Sequence, residues 1–326
     1  MSVLAPPFGE ISLCDSTVGD TVAYASYGRE EAPAVFVLGG ITAHRFVCGE
    51  NNGSESWWPG VVGSGCALNP EDYRIVSLDW LGGAGDSTKP SYDDGISFPV
   101  VTTQDQASAV VAVLDHLGIE KLYGFVGASY GGMVGLALGS LYPERIQQLL
   151  VLCAAHRSHP MATALRIIQR RIATLGASAS REKGGLVLAR ALAMTTYRTP
   201  EEFEHRFKFL PDWKEESPSF DVEKYLNHCG ENFSYNFNAL TFGILSQSLD
   251  IHLVEPEEVT VPVTVFSVDS DAIVPPWLVD ELVQRLPNLV EEIRITSHFG
   301  HDSFLKEHRV VSRLVECFLN SESYNG

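Results

Sequence analysis

Residues 124–133, Gly-Phe-Val-Gly-Ala-Ser-Tyr-Gly-Gly-Met, set a serine where an apolar run gives way to small residues. Gly127, Ser129 and Gly131 fill the pattern G-x-S-x-G, in which the serine sits on a sharp strand-to-helix turn with strained backbone angles. Only small flanking residues let the two elements pass so closely. Five residues can match by chance, leaving Ser129 as a packing serine in a glycine-rich turn, so the flanks decide. Lys121 to Val126 reads as a short buried strand, and Gly132 to Leu138 has helix-forming composition, ended by Tyr142-Pro143-Glu144-Arg145. That setting predicts a nucleophile at Ser129.

Around this element, short apolar runs alternate with longer helical stretches, the signature of an α/β chain whose mostly parallel central sheet is covered by helices on both faces. Strands are predicted at 34–38, 73–78, 148–152, 263–268 and 292–295, with an antiparallel edge hairpin from 11–13 and 22–25 joined through Val18-Gly19-Asp20. Between residues 155 and 253 the alternation stops and the pattern becomes helical with polar interruptions, such as Pro211 to Pro218. This predicts a helical lid over 155–253, inserted into a core built from 1–154 and 254–326. Cys48 to Glu55 reads as a polar, exposed loop, and Ser303 to Leu319 as one terminal helix.

A serine nucleophile needs a base, and the base needs an acid that fixes its tautomer. On a sheet of this kind both follow the serine in the chain, Asp or Glu first and His last. Asp271 follows the strand 263–268, and His301 follows the strand 292–295 just before the terminal helix. Asp269 and His298 stand close enough to compete for the same roles. The oxyanion formed on attack needs two backbone N–H donors. Tyr130, next after the serine, supplies one; Ile41, in the Gly39-Gly40-Ile41-Thr42 turn after an early strand, is the candidate for the second.

Composition narrows the function classes. The chain has 326 residues and a formal charge of −18, which argues against nucleic-acid and anionic-membrane partners, since both reward a basic surface. Six scattered cysteines without a CxxC pair suggest free thiols and a cytoplasmic protein, with neither a disulfide scaffold nor a zinc site. The N-terminus has no signal-peptide pattern, and no run of 18 residues is free of charge or punctuation. Residues 157–198 carry eight basic side chains and one acidic one, which suits the capture of phosphates and equally suits cations paired with an acidic body.

With these residues in place the sequence resembles the homoserine O-acyltransferases of the α/β-hydrolase fold. Beyond the serine turn the resemblance rests on Ser270-Asp271 with Val274-Pro275, on Gly300 to Leu305, and on Leu188-Ala189-Arg190 with Thr196 to Pro200. Gly39 to Ala43 with Arg45, and Ala155 to Pro160, are similar to a branch associated with succinyl transfer. The chain lacks the longer H-x-L-T-G loop of the acetyl-type enzymes, and His205 stands where they carry a lid tyrosine. The resemblance implies acyl-CoA as co-substrate, L-homoserine as acceptor, an acyl-serine intermediate, and a place in methionine biosynthesis. It implies no metal or prosthetic group, and a homodimer formed through the lid. Arg198 would hold the homoserine carboxylate and Asp302 its ammonium. For the second carboxylate of a succinyl donor the sequence offers Arg45, four residues beyond Ile41, and Arg157; Arg45 also reads as a loop arginine in solvent. A serine O-acyltransferase or a carboxylesterase would use the same triad.

Overall fold

Strands form where β-branched and apolar residues run without interruption, and their burial on both faces orders them into one sheet. The structure, a computed structural model, describes residues 8–13, 19–48, 56–91, 98–214 and 217–321. The strands are β1 (Phe8–Ser12), β2 (Thr21–Tyr27), β3 (Ala34–Leu38), β4 (Arg74–Leu78), β5 (Gly124–Ala128), β6 (Leu149–Leu152), β7 (Asp212–Lys214), β8 (Ser217–Ser219), β9 (Val263–Val268) and β10 (Leu289–Ile295). Eight of them make the main sheet in the order β1-β2-β4-β3-β5-β6-β9-β10. The six from β4 to β10 run parallel, and the β1–β2 hairpin adds antiparallel at one edge. The expected hairpin is therefore present, although Val18 of its turn lies outside the described residues.

Alternate residues of β3 face opposite cores. Phe36 and Leu38 join the cluster under the helices α1 (Thr103–His116), α2 (Tyr130–Leu141) and α8 (Pro276–Arg285). Val35 and Val37 join the cluster under α10 (His308–Asn320). Phe36 and Phe125 stack across β3 and β5 at 5.9 Å, worth about 0.5–1.5 kcal/mol beyond burial. The central strands are thus fixed from both sides, and their carboxyl ends become rigid mounts for side chains.

The predicted terminal helix is two helices, α9 (Ser303–Lys306) and α10, parted at Glu307. Trp58 Nε1 donates to the Phe304 carbonyl at 2.9 Å, and Glu307 Oε1 accepts from Ser297 Oγ at 2.7 Å. Both bonds recruit groups of this segment for tertiary contacts instead of one continuous helix. Of the predicted polar loop, residues 49–55 lie outside the described residues, and Cys48 is buried.

Between β6 and β9 the chain forms α3 (Pro160–Ser178), α4 (Glu182–Tyr197), α5 (Pro200–Arg206), the β7–β8 hairpin, α6 (Asp221–Asn236) and α7 (Ala239–Asp250). Outgoing and returning strands meet at its base, where Val254 N–H donates to the His156 carbonyl at 2.9 Å. Gly176 and Gly185 let α3 and α4 touch backbone to backbone, since a Cβ at either would run into the other helix. No helix among the described residues is long and apolar enough to cross a membrane.

Candidate active site

The serine turn forms as its glycines require. Ser129 has φ 54° and ψ −117°, a strained conformation for a residue with a Cβ, of the kind that costs about 1–3 kcal/mol and persists only where the surroundings enforce it. A Cβ at Gly127 would overlap the Gly131 carbonyl, and one at Gly131 would overlap the Leu38 carbonyl. The strand end and the helix start can therefore be this close only with both glycines in place.

Three loops at the carboxyl ends of β5, β9 and β10 bring the distant residues together. Ser129 Oγ lies 2.8 Å from His301 Nε2, and His301 Nδ1 lies 2.7 Å from Asp271 Oδ2. Asp271 is held in turn, because its Oδ1 accepts the backbone N–H groups of Ile273 at 2.8 Å and Val274 at 2.9 Å. The competitors go elsewhere. Asp269 accepts from Thr296 Oγ1 at an exposed position, and the His298 ring lies against Phe299.

His301 is buried, and burial disfavours its imidazolium. The charge and hydrogen bond of Asp271, with a contribution from Asp302, more than offset this and leave its pKa above the ordinary histidine value. A step that needs neutral His301 as base is therefore suppressed as pH falls through that raised value. Asp302→Asn removes one of the raising charges, so for the acyl-CoA reaction that the sequence resemblance implies, the acid limb of CoA release without acceptor is expected to move to lower pH. A limb that stayed in place or moved up would refute the assignment.

Gly40, Ile41, Ser129, Met133 and His301 line a cavity of about 440 Å3, which continues through Ile41, Thr42, Arg190, Arg198 and Asp302 into an outer one of about 1040 Å3. The other two predicted site residues meet each other. Arg198 Nε stands 2.9 Å from Asp302 Oδ2, without aiming its N–H for a hydrogen bond, while Arg198 Nη1 binds Glu202 at 2.8 Å. Arg198 Nη2 has no acceptor among the described residues. Asp302 precedes α9 but its side chain caps nothing, and it lines both cavities.

Two expectations are corrected. Arg45 is neither in solvent nor free to meet a donor carboxylate, because it is buried and its guanidinium is paired with Asp79 and Asp86. Arg157 pairs with Glu281 at 2.5 Å and does not line the inner cavity. Within the basic segment Arg157, Arg166, Arg170 and Arg198 meet carboxylates, and Arg166 and Arg170 share one, Asp250, each at 2.6 Å. His205 is exposed on α5, and the tyrosine beside the site is Tyr197, its ring 5.9 Å from His301. Two cavity-lining cations were not singled out from sequence for these positions. Arg166 faces the triad closely enough that its charge opposes the His301 imidazolium. Arg190 lies 5.3 Å from both the Tyr197 and Phe233 rings, with no carboxylate partner among the described residues. The i, i+4 spacing of Arg166 and Arg170 on one helix face was the available signal.

Similarity to known proteins decides the family. A family model described as alpha/beta hydrolase fold matches residues 33–307. The chain is 40% identical over 285 residues to a homoserine O-succinyltransferase of Xanthomonas campestris pv. campestris, covering 87% of this chain and 74% of that protein. This chain belongs to the homoserine O-acyltransferase family. A homoserine O-acetyltransferase of Geotalea uraniireducens is 32% identical over 334 residues, covering 92% of this chain and 90% of that one. Esterase E22 superposes with a TM-score of 0.83 at 18% identity, over 96% of this chain and 98% of that chain. That likeness shows the fold alone, so within the homoserine O-acyltransferase family it is the cavity and its charges that bear on chemistry. Among the described residues no group of three or more His, Cys, Asp or Glu side chains is placed to hold a metal ion.

Proposed function

We propose that this chain is an acyl-CoA:L-homoserine O-acyltransferase that uses succinyl-CoA in preference to acetyl-CoA and works by double displacement. Ser129 Oγ attacks the thioester carbon as His301 Nε2 takes its proton. The C–S bond breaks, the proton passes to the departing thiolate, and an acyl ester remains on Ser129. His301 then takes the proton of the homoserine hydroxyl as that oxygen attacks the ester, and returns it to Ser129 Oγ. Tyr130 and Ile41 N–H groups receive the oxyanion in both steps. Arg198 Nη2 takes the homoserine carboxylate and Asp302 the ammonium. The 155–253 insertion is the lid that keeps water from competing, and the outer cavity, with five Arg or Lys side chains against three carboxylates, takes the CoA end.

The observation that carries the donor preference is the Arg166–Asp250–Arg170 cluster, two cations on one carboxylate with Arg166 lining the cavity of Ser129. A second carboxylate on the acyl chain, once out of water, needs such a surplus cation. The 40% identity to a protein named a succinyltransferase points the same way. The test is a matrix of succinyl-CoA and acetyl-CoA against homoserine, serine and water, run on the wild type and on Arg166→Met. Wild type is expected to favour succinyl-CoA with homoserine. Arg166→Met is expected to lose about 1.5–3 kcal/mol of transition-state stabilisation for succinyl transfer, the range for a hydrogen bond to a charged group, with acetyl transfer spared. An unchanged donor ratio would refute the role of Arg166, and transfer to water alone would refute the transferase reading.

A further inference from the structure

We infer that Trp80 is a positioning residue for the oxyanion hole, tying both donor-bearing residues to the sheet; the inference rests on the acyl-serine reading above. Trp80 follows β4 and is only 3% exposed. Its indole Nε1–H donates to the Gly40 carbonyl at 3.1 Å. Because a trans peptide is planar, the Gly40 C=O and the Ile41 N–H point in opposite directions. Holding that carbonyl against Trp80 therefore directs the Ile41 N–H away from it, on the loop whose residues Gly40 and Ile41 line the cavity of Ser129.

Ile41 packs against the main apolar cluster, while the space beside Gly40 is open, since a Cβ there would meet nothing within 4 Å. The preceding peptide is tied to α2, since Gly131 N–H donates to the Gly39 carbonyl at 2.8 Å. The Gly40 carbonyl also accepts Ala43 N–H at 2.9 Å, but that bond lies within the same turn and would move with it. Among the described residues, Trp80 alone ties this carbonyl to another element.

The same indole orders the second donor. Its ring meets Tyr130 edge to face, with centroids 4.7 Å apart at 64°. Tyr130 is fully buried, and its hydroxyl is bonded to Ser248 Oγ on α7 at 2.6 Å. Trp80 is itself fixed, because Asp79 N–H donates to the Ala23 carbonyl and Gln106 binds both backbone groups of Leu81. One side chain thus sets the relative placement of the two N–H groups on which carbonyl polarisation depends.

The test removes the indole N–H, in one variant with a smaller ring and in the other with the ring's shape kept. Trp80→Phe and the isosteric Trp80→3-benzothienylalanine are acylated with acyl-CoA carrying a 13C carbonyl, without acceptor. Infrared spectroscopy reads the ester C=O stretch, and rapid mixing reads the release of CoA. In both variants the stretch is expected to move to higher wavenumber and acylation to slow by about 10- to 100-fold, less than the ~10²–10³-fold of deleting a donor outright. Half-saturating acyl-CoA should change little. If Trp80→Phe does not fold, the isosteric variant decides alone. An unshifted stretch and an unchanged acylation rate in that variant would overturn the inference. Absence of an ester on Ser129 in the wild type would overturn the acyl-serine reading and this inference with it.

Discussion

Ser129→Ala is expected to abolish the acyl-enzyme and to lower turnover by about 10⁴–10⁶-fold, the scale on which a serine nucleophile acting with its base is lost. In the proposed mechanism the ester forms on the Ser129 oxygen, which lies 2.8 Å from His301 Nε2. Alanine leaves His301 and Asp271 in place and removes the atom that would carry the acyl group. It also suits the fold, since a methyl side chain at φ 54° is no more strained than the serine it replaces. Incubation with acyl-CoA and no acceptor, followed by mass spectrometry of the intact chain, should add one acyl mass to wild type and none to the variant. The same adduct in both proteins would remove Ser129 from the reaction.

Asp271→Asn is expected to cost about 10⁴-fold in turnover while leaving the fold intact. The reason lies in what surrounds the carboxylate. Asp271 Oδ1 accepts two backbone N–H groups, from Ile273 and Val274, whereas Oδ2 faces His301 Nδ1. An asparagine must keep its oxygen toward those two donors, which turns its NH2 toward His301. Nδ1 then has to accept, the ring proton moves to Nε2, and the nitrogen facing Ser129 can no longer take its proton. Turnover with acyl-CoA and homoserine, together with the melting temperature, checks this. A loss of less than tenfold at unchanged stability would show that Asp271 does not set the tautomer.

These two expectations were open to a reader of the chain alone because they depend on order and position. The glycines of 127–131, the alternation of apolar runs with helical stretches, and the placement of Asp271 and His301 after late strands are local patterns. Sheet topology turns such patterns into a site almost automatically, since parallel strands present all their carboxyl ends on one edge. The strand bounds deviated by a few residues, and the broken terminal helix carries the Trp58 bond, whose two partners lie 246 residues apart.

Charge pairing was not legible in this way. Arg45 is 34 residues from Asp79, Arg157 is 124 from Glu281, and Arg166 is 84 from Asp250. Periodicity does not reveal which of 41 acidic side chains a given arginine will meet. A guanidinium that finds a buried carboxylate is spent as a structural ion pair, and one that shares its carboxylate keeps charge to offer a ligand. The meeting of Ser129, His301 and Asp271 was thus specified by short-range sequence, because each is delivered by its own strand end. The residues that line the cavity beside Ser129 and hold the Gly40 peptide depended on packing between segments far apart in the chain, where desolvation and geometry choose the partners.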